Sequence, residues 1–409
     1  MLDLLIRNAV SIHYDRLIDI GIKDGLISYL KPTGTAFPEA KKKIDANGRV
    51  VLPGLNESHI HLEKAYLLDK MHQDAACLSD AIQITSDLKK TFTVPDIEER
   101  ASRVLKKSIQ SGVTNLRCHV EVDDILQLKA METILNLKEK FKDKITLQIV
   151  TFPQEGIFVQ QHAAALMEES LKMGADAVGG IPYNDRDPLE HLDFVYKLAE
   201  RYNKPLDMHI DLSDDPNDLS IIDIIKRTKD YHMENKVSVA HMTALGSVAN
   251  RRAHQIAAQI ADAGISVVAL PATDLYLNGR EDTEKVRRGL TPVDILLEEG
   301  VNIVFATNNI QNPFTPFGTG NILDIAYLFA EVTRMGSKQD AETIIDMLTY
   351  RSAKALNLGD YGFKEGSNAD IVMFDARSLR ELLLNQAPVI CSYKKGRPVI
   401  QEAVEEGIY

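Results

Sequence analysis

Five histidines stand where a folded chain could use them together. In the stretch VVLPGLNESHIHLEKAY, residues 50–66, an apolar run closes on His59 and His61. Alternate residues of an extended strand face the same way, so both imidazoles could hold one metal ion. Taken alone, a His-x-His pair is better explained by chance or by a structural role. Three more histidines shift that balance: His119 in VTNLRCHVEV, His209 in PLDMHI and His241 in KVSVAH each lie at or near the end of an apolar, β-rich run. Neutral imidazole binds zinc, iron, nickel and other first-row divalent ions, and it is also an acid/base group. The pattern therefore points to metal-assisted or acid/base chemistry and leaves the metal open. The H-x-E tripeptide at His119–Glu121 is not the zinc signature of nucleobase deaminases of another fold, because no C-x-x-C accompanies it.

Elements that could gather these side chains are legible from the alternation of apolar runs and amphipathic stretches. The runs RVVLPGL, VTNLRCHVEV, ITLQIVTF, ADAVGGI, PLDMHI, KVSVAH, ISVVAL and VNIVFAT read as strands. Between them, pieces such as PDIEERASRVLKKSIQSG and SVANRRAHQIAAQIADAG have helical periodicity and end in Gly. Eight strands close a parallel barrel, and the expected fold is α/β: a (β/α)8 TIM barrel over residues 55–361. An open doubly wound sheet is the alternative, but no G-x-G-x-x-G follows any strand. Barrel active sites lie at the C-terminal ends of the strands, where these five histidines fall. The other six, His13, His72, His162, His191, His232 and His254, read as surface or locally bonded side chains. Residues 67–93 are long for one connection and are expected to carry a helix over the barrel mouth.

Both chain ends have a different style. DLLIRNAVSI, DIGIKDGLISYL and KKIDANGRVVLPG are short β runs with tight-turn signals, and NADIVMFDA, PVICSYKKGRPVI and the closing EAVEEGIY repeat that style. Neither end alone has enough strands to bury a face, so residues 1–54 and 362–409 are expected to form one small β-sandwich domain. The chain has 409 residues, 44% hydrophobic content and a net charge of -12 from 47 basic and 59 acidic residues. Such a balance offers no general attraction to nucleic acid or anionic membrane. Three dispersed cysteines (Cys77, Cys118 and Cys391), the lack of a signal-peptide pattern and the absence of an 18-residue apolar run lead to the expectation of a cytoplasmic protein.

Several stretches together carry a resemblance to a known family. HIHLEK, CHVEVDD, LQIVTFPQEGI, GADAVGGIP, AHMTA, the long segment from LNGRED to PFGTGN, and LNLGDYGFKEGSNADIVMF resemble the amidohydrolase superfamily. Within it the chain is similar to the cytosine deaminase-like branch and, more distantly, to the branch of the triazine enzyme N-isopropylammelide isopropylaminohydrolase. The resemblance implies a metal-dependent hydrolase that breaks an exocyclic C–N bond of a small N-heterocycle, a cytosine-like pyrimidine or a triazine. It also implies one divalent metal ion, zinc or iron, and a homo-oligomer.

Carried onto this sequence, the resemblance makes His59, His61 and His209 metal ligands and sets His241 against the reacting centre. Gln154 falls where a glutamine reads the ring carbonyl and the adjacent N–H, and His119, Asn309 and Phe314 are assigned to the substrate. Two positions depart from the family. Asn308 stands where the metal-binding, proton-accepting aspartate is expected, and Leu212 replaces a proton-shuttling glutamate. A carboxamide oxygen can ligate a metal weakly, but it cannot serve as the missing base. Lys64, matching a lysine of the triazine branch, is the candidate for that proton transfer; Asp211, Asp214 and Asp215 follow His209 but read as helix-capping or solvated groups. A catalytically silent barrel that binds a heterocycle is the alternative reading.

Overall fold

The computed structural model describes residues 1–401. The closing EAVEEGIY, expected to belong to the β-unit, lies outside the described residues.

At the amino-terminal end, β1 (Leu2–Ala9), β2 (Ile18–Lys23), β3 (Leu26–Pro32) and β4 (Ala40–Asp45) form a sheet in the order β3-β2-β1-β4. Asp24 and Gly25, at φ +52° and +80°, make the tight turn that the KDG signal predicts, with both residues in the left-handed region a two-residue hairpin needs. β5 (Val51–Pro53) follows and belongs to a second sheet. The barrel follows in chain order: β6 (Leu55–Ile60), β7 (Val113–Glu121), β8 (Thr146–Phe152), β9 (Ala177–Gly180), β10 (Leu206–Ile210), β11 (Val237–His241), β12 (Ser266–Ala269) and β13 (Asn302–Phe305). These eight strands are neighbours in sequence order and parallel throughout. A parallel bridge between Ile60 and Asn308 joins the last strand to the first. The chain then returns through β14 (Ile371–Phe374), β15 (Val389–Lys394) and β16 (Arg397–Gln401), which make an antiparallel sheet with β5. Ile6, Ile20 and Ile22 of the first sheet share one core with Val51, Ile371, Met373 and Tyr393 of the second, so the ends form a sandwich.

One strand differs from the sequence reading. RVVLPGL was expected as the first barrel strand, but Val51–Pro53 pairs antiparallel with β14, and the barrel strand is the polar-looking LNESHI. All six of its residues are buried, including Asn56, Glu57, Ser58 and His59. Hydropathy missed it because Asn56 and Glu57 find partners inside: Asn56 Nδ2 donates to Thr349 O and Ser352 Oγ, both at 2.9 Å, and Glu57 accepts from Thr307 N at 3.1 Å.

Outside the barrel, helices cover the strands, and the segment after β6 forms a helix over Leu78–Lys89, as expected from its length. Close packing is tight at β9, whose backbone runs against β8. A Cβ on Gly179 would lie 2.7 Å from Thr151 O. Gly179→Ala should therefore destabilise the protein by about 1–3 kcal/mol, the usual range for overpacking. Denaturant unfolding against the parent chain checks this, and a loss confined to a few tenths of that range would contradict it.

Candidate metal centre and active site

The seam between β13 and β6 builds the first part of the site. Asn308 N donates to His59 O at 2.8 Å, and His61 N donates to Asn308 O at 2.9 Å. Behind them the buried Glu57 carboxyl accepts from Thr307 N at 3.1 Å, from the Thr307 hydroxyl, and from His59 N at 3.2 Å. Burial pushes this carboxyl up to about 7, against the pull of those donors.

Opposite the seam, β10 carries His209. Its Nε2 lies 3.0 Å from Nε2 of His59 and 3.2 Å from Nε2 of His61. Burial first, and neighbouring basic groups second, hold all three imidazoles well below their ordinary range, so they are neutral with lone pairs to share. Phe152 stacks on His209 with centroids 4.2 Å apart. Asn308, at φ +61°, has its Oδ1 buried with no hydrogen-bond partner. Three converging neutral ring nitrogens, and an orphaned amide oxygen on a residue that lines the same cavity as His61 and His209, suit a divalent cation, since buried polar atoms otherwise lack compensation.

His119 is placed differently from the other four. It stacks on His59 at 3.9 Å, and its Nε2 lies 3.2 Å from Asp207 Oδ1. Asp207 Oδ2 accepts from Arg117 at 2.7 Å. His119 ring nitrogens nonetheless come within 4.8 Å of those of His59 and His209. Neither His119 nor His59 lines the adjoining cavity.

That cavity is bounded by His61, His209, His241, Asn308, Asn309, Thr273, Lys64, Gln154, Leu78, Tyr183, Leu212 and Phe314. No carboxylate lines it. His241 ends β11 at φ +72°, and its Nδ1 lies 2.6 Å from Asp274 Oδ1 in helix Pro271–Leu277. Lys64 Nζ donates to Gln154 Oε1 at 2.8 Å and to Glu121 Oε1 at 2.6 Å, and sits 4.7 Å from the Phe314 ring centre. Asn309 accepts from Asn312 Nδ2 at 2.8 Å. Leu212 and Phe314 pack in one apolar cluster with Ala75, Ala81 and Ile84, so the helix Leu78–Lys89 roofs the cavity.

Phe158 packs on Phe194, Phe317 is exposed, and neither lines the cavity. Asp211 caps the helix Ile221–Asp230 by accepting from Ser220 N and Ile221 N, at 2.8 and 3.3 Å. Asp214 and Asp215 are likewise spent on backbone donors, Gly279 N and Asn217 N. His191, buried between Asp185 and Ile181 N, is locally bonded as expected.

Sequence reasoning passed over the buried acids around the site: Glu63, Glu121, Asp123, Asp207 and Asp274. A signal existed for two of them, because His119, Glu121 and Asp123 alternate along one strand and its extension. Lys89, which meets Glu121 and Asp123, has no local signal at all. Asp207 offers a direct test of this buried electrostatics. Asp207→Ala leaves the Arg117 guanidinium unpaired and should cost about 3–5 kcal/mol, whereas Asp207→Leu with Arg117→Met should recover most of it. Unfolding curves of the parent, single and double variants measure both effects.

A histidine-lined parallel barrel joined to a sandwich from both chain ends defines the class. Residues 42–400 match the Amidohydrolase family, and the chain belongs to it. The chain is 29% identical over 414 residues to the N-isopropylammelide isopropyl amidohydrolase of Pseudomonas sp. (strain ADP), covering 98% of each. Among solved structures it is similar to the 5-methylcytosine deaminase from Klebsiella pneumoniae liganded with 5-fluorocytosine, with TM-score 0.93, 32% identity and 99% of each chain covered. It is also similar to N-isopropylammelide isopropylaminohydrolase from Burkholderia multivorans ATCC 17616, with TM-score 0.85, 26% identity, and 98% and 99% of the two chains covered.

Proposed function

We propose that this chain is a metal-dependent hydrolase of an exocyclic C–N bond on a small N-heterocycle that carries an alkyl substituent. The observation that carries the reading is the convergence of three neutral imidazole nitrogens, with His209 Nε2 3.0 and 3.2 Å from those of His59 and His61, beside a cavity that His61 and His209 line. His59, His61 and His209 would hold one divalent ion, zinc or iron, with the Asn308 amide oxygen beside them. When bound, such an ion supplies Lewis-acid activation of water at neutral pH.

The residues of the chain then divide the remaining work. His241 gives Nδ1 to Asp274, which fixes its tautomer and leaves Nε2 as a proton acceptor. With Asn308 in the aspartate position and no carboxylate lining the cavity, His241 is the base this site retains. Gln154 has its carbonyl oxygen occupied by Lys64, so its NH2 is the edge available to a ring carbonyl. The Lys64 ammonium is a proton source for the departing amine or ammonia. Water contributes the oxygen left on the ring carbon, and its proton leaves with the nitrogen.

Leu212, Leu78 and Phe314 give the cavity an apolar wall where a charged shuttle is expected, and this supports a substrate with a methyl or small branched alkyl group. The names of the relatives, a 5-methylcytosine deaminase and two N-isopropylammelide hydrolases, are in keeping with that chemistry. Asn308 favours a second reading, a silent binder of the same heterocycles.

Metal analysis and a turnover panel of cytosine, 5-methylcytosine and N-isopropylammelide separate the two. We expect near-stoichiometric metal that His209→Ala abolishes, and release of ammonia or amine that His241→Ala lowers by about 10²–10⁴-fold. A protein without metal or turnover that gains both through Asn308→Asp would overturn the enzymatic reading. Leu212→Glu should lower the preference for 5-methylcytosine over cytosine by about tenfold, the discrimination expected of one methyl group. An unchanged ratio would remove Leu212 from substrate selection.

A further inference from the structure

Lys89 is the last residue of the helix that roofs the cavity, yet its ammonium is buried among carboxylates of the barrel wall. Nζ lies 2.8 Å from Glu121 Oε2 and 2.6 Å from Asp123 Oδ2, and it also pairs with Glu155. The opposite oxygen of Glu121 takes Lys64 at 2.6 Å, and Lys64 in turn donates to Gln154 at 2.8 Å. One buried carboxylate thus bridges a lysine of the roof and a lysine of the substrate cavity. Its own environment fits a fixed bridge. Burial alone would raise the Glu121 carboxyl, but Lys64 and Lys89 pull it down to about 2. Burial likewise opposes the charge on Lys89, and Glu121, Glu155 and Asp123 override it, holding the ammonium above its ordinary range.

Removing the Lys89 charge leaves Glu121, Asp123 and Glu155 facing one another with Lys64 as the remaining ammonium at Glu121. Like charges at such separations in a low-dielectric interior repel strongly. The acids then part, and Glu121 no longer holds Lys64 against Gln154. We propose that Lys89 is a positioning residue: through Glu121 it seats Lys64 against Gln154, so that closure of the roof helix and assembly of the polar wall of the cavity are one event. The proposal rests on the reading of this cavity as the substrate site, and its test has an arm that does not.

That arm is acetylation of zinc-loaded full-length protein by acetic anhydride, followed residue by residue with mass spectrometry. In the parent chain Lys64 should react far more slowly than the exposed Lys142. Lys89→Met should speed Lys64 acetylation by about tenfold, a coupling ordinary for contacting charged groups, and Lys89→Arg should restore protection. Should Lys89→Met fail to fold, Lys89→Gln combined with Glu155→Gln removes one charge of each sign and gives the same readout. Unchanged Lys64 protection in either folded variant overturns the proposal.

The second arm measures Kd for 5-fluorocytosine by calorimetry in the parent, Lys89→Met, Lys64→Met and the double variant. Lys89→Met should weaken binding in the parent background by about tenfold and add nothing once Lys64 is gone. Losses that multiply overturn the coupling and leave Lys89 as a structural anchor. If the parent itself neither binds 5-fluorocytosine nor turns over any heterocycle, the functional reading fails, and the acetylation arm alone decides the bridge.

Discussion

Barrel closure is the constraint on which the rest of this structure depends. The last strand meets the first through two backbone hydrogen bonds, between Asn308 and the two residues His59 and His61, and both bonds fall at the mouth of the barrel. The same contact that closes the sheet therefore brings Asn308 to the strand that carries His59 and His61. A parallel barrel has no free edge only if that seam pairs in register. Glu57 secures the register from behind by gathering donors from both strands, at the expense of a fully buried carboxyl.

Around the seam, the barrel interior is unusually polar at one end and is made tolerable by pairing. Arg117 answers Asp207, Lys64 and Lys89 answer Glu121, and His241 answers Asp274. Isolated, any of these charges would be costly to bury. Paired, they hold side chains in single geometries, which is what a site needs if its groups are to meet a small ring at defined angles. The roof is joined to this lattice twice, by the apolar cluster at Leu212 and Phe314 and by the ammonium of Lys89. Apolar contact seals the cavity, and the ion pairs set where the seal lands.

The departures at Asn308 and Leu212 acquire meaning from these surroundings. Asn308 Oδ1 points at no hydrogen-bond donor, as expected of a group left for a cation rather than for the protein. Leu212 is embedded among apolar side chains of the roof, so the position has been absorbed into a hydrophobic wall instead of being left as a gap where a carboxylate once would act. Asn308 and Leu212 leave the cavity wall without a carboxylate, and the His241–Asp274 pair is the buried imidazole–carboxylate couple beside it.

Much of this was legible in the sequence. Seven of the eight barrel strands follow from apolar runs, and the strand-end histidines follow from position, because periodicity and chain order are local properties. The strand LNESHI was not legible, since its buried residues are polar and their partners lie hundreds of residues away. Which residue meets His59 and His61 across the seam, what surrounds Leu212, and that Lys89 reaches Glu121 were likewise decided only in three dimensions. Each depends on strand register and helix placement that bring together side chains with no relation along the chain. The sequence by itself determined the fold class and the kind of chemistry available; the tertiary structure decided which groups share a charge, a proton or a wall, because those energies fall off within a few ångströms.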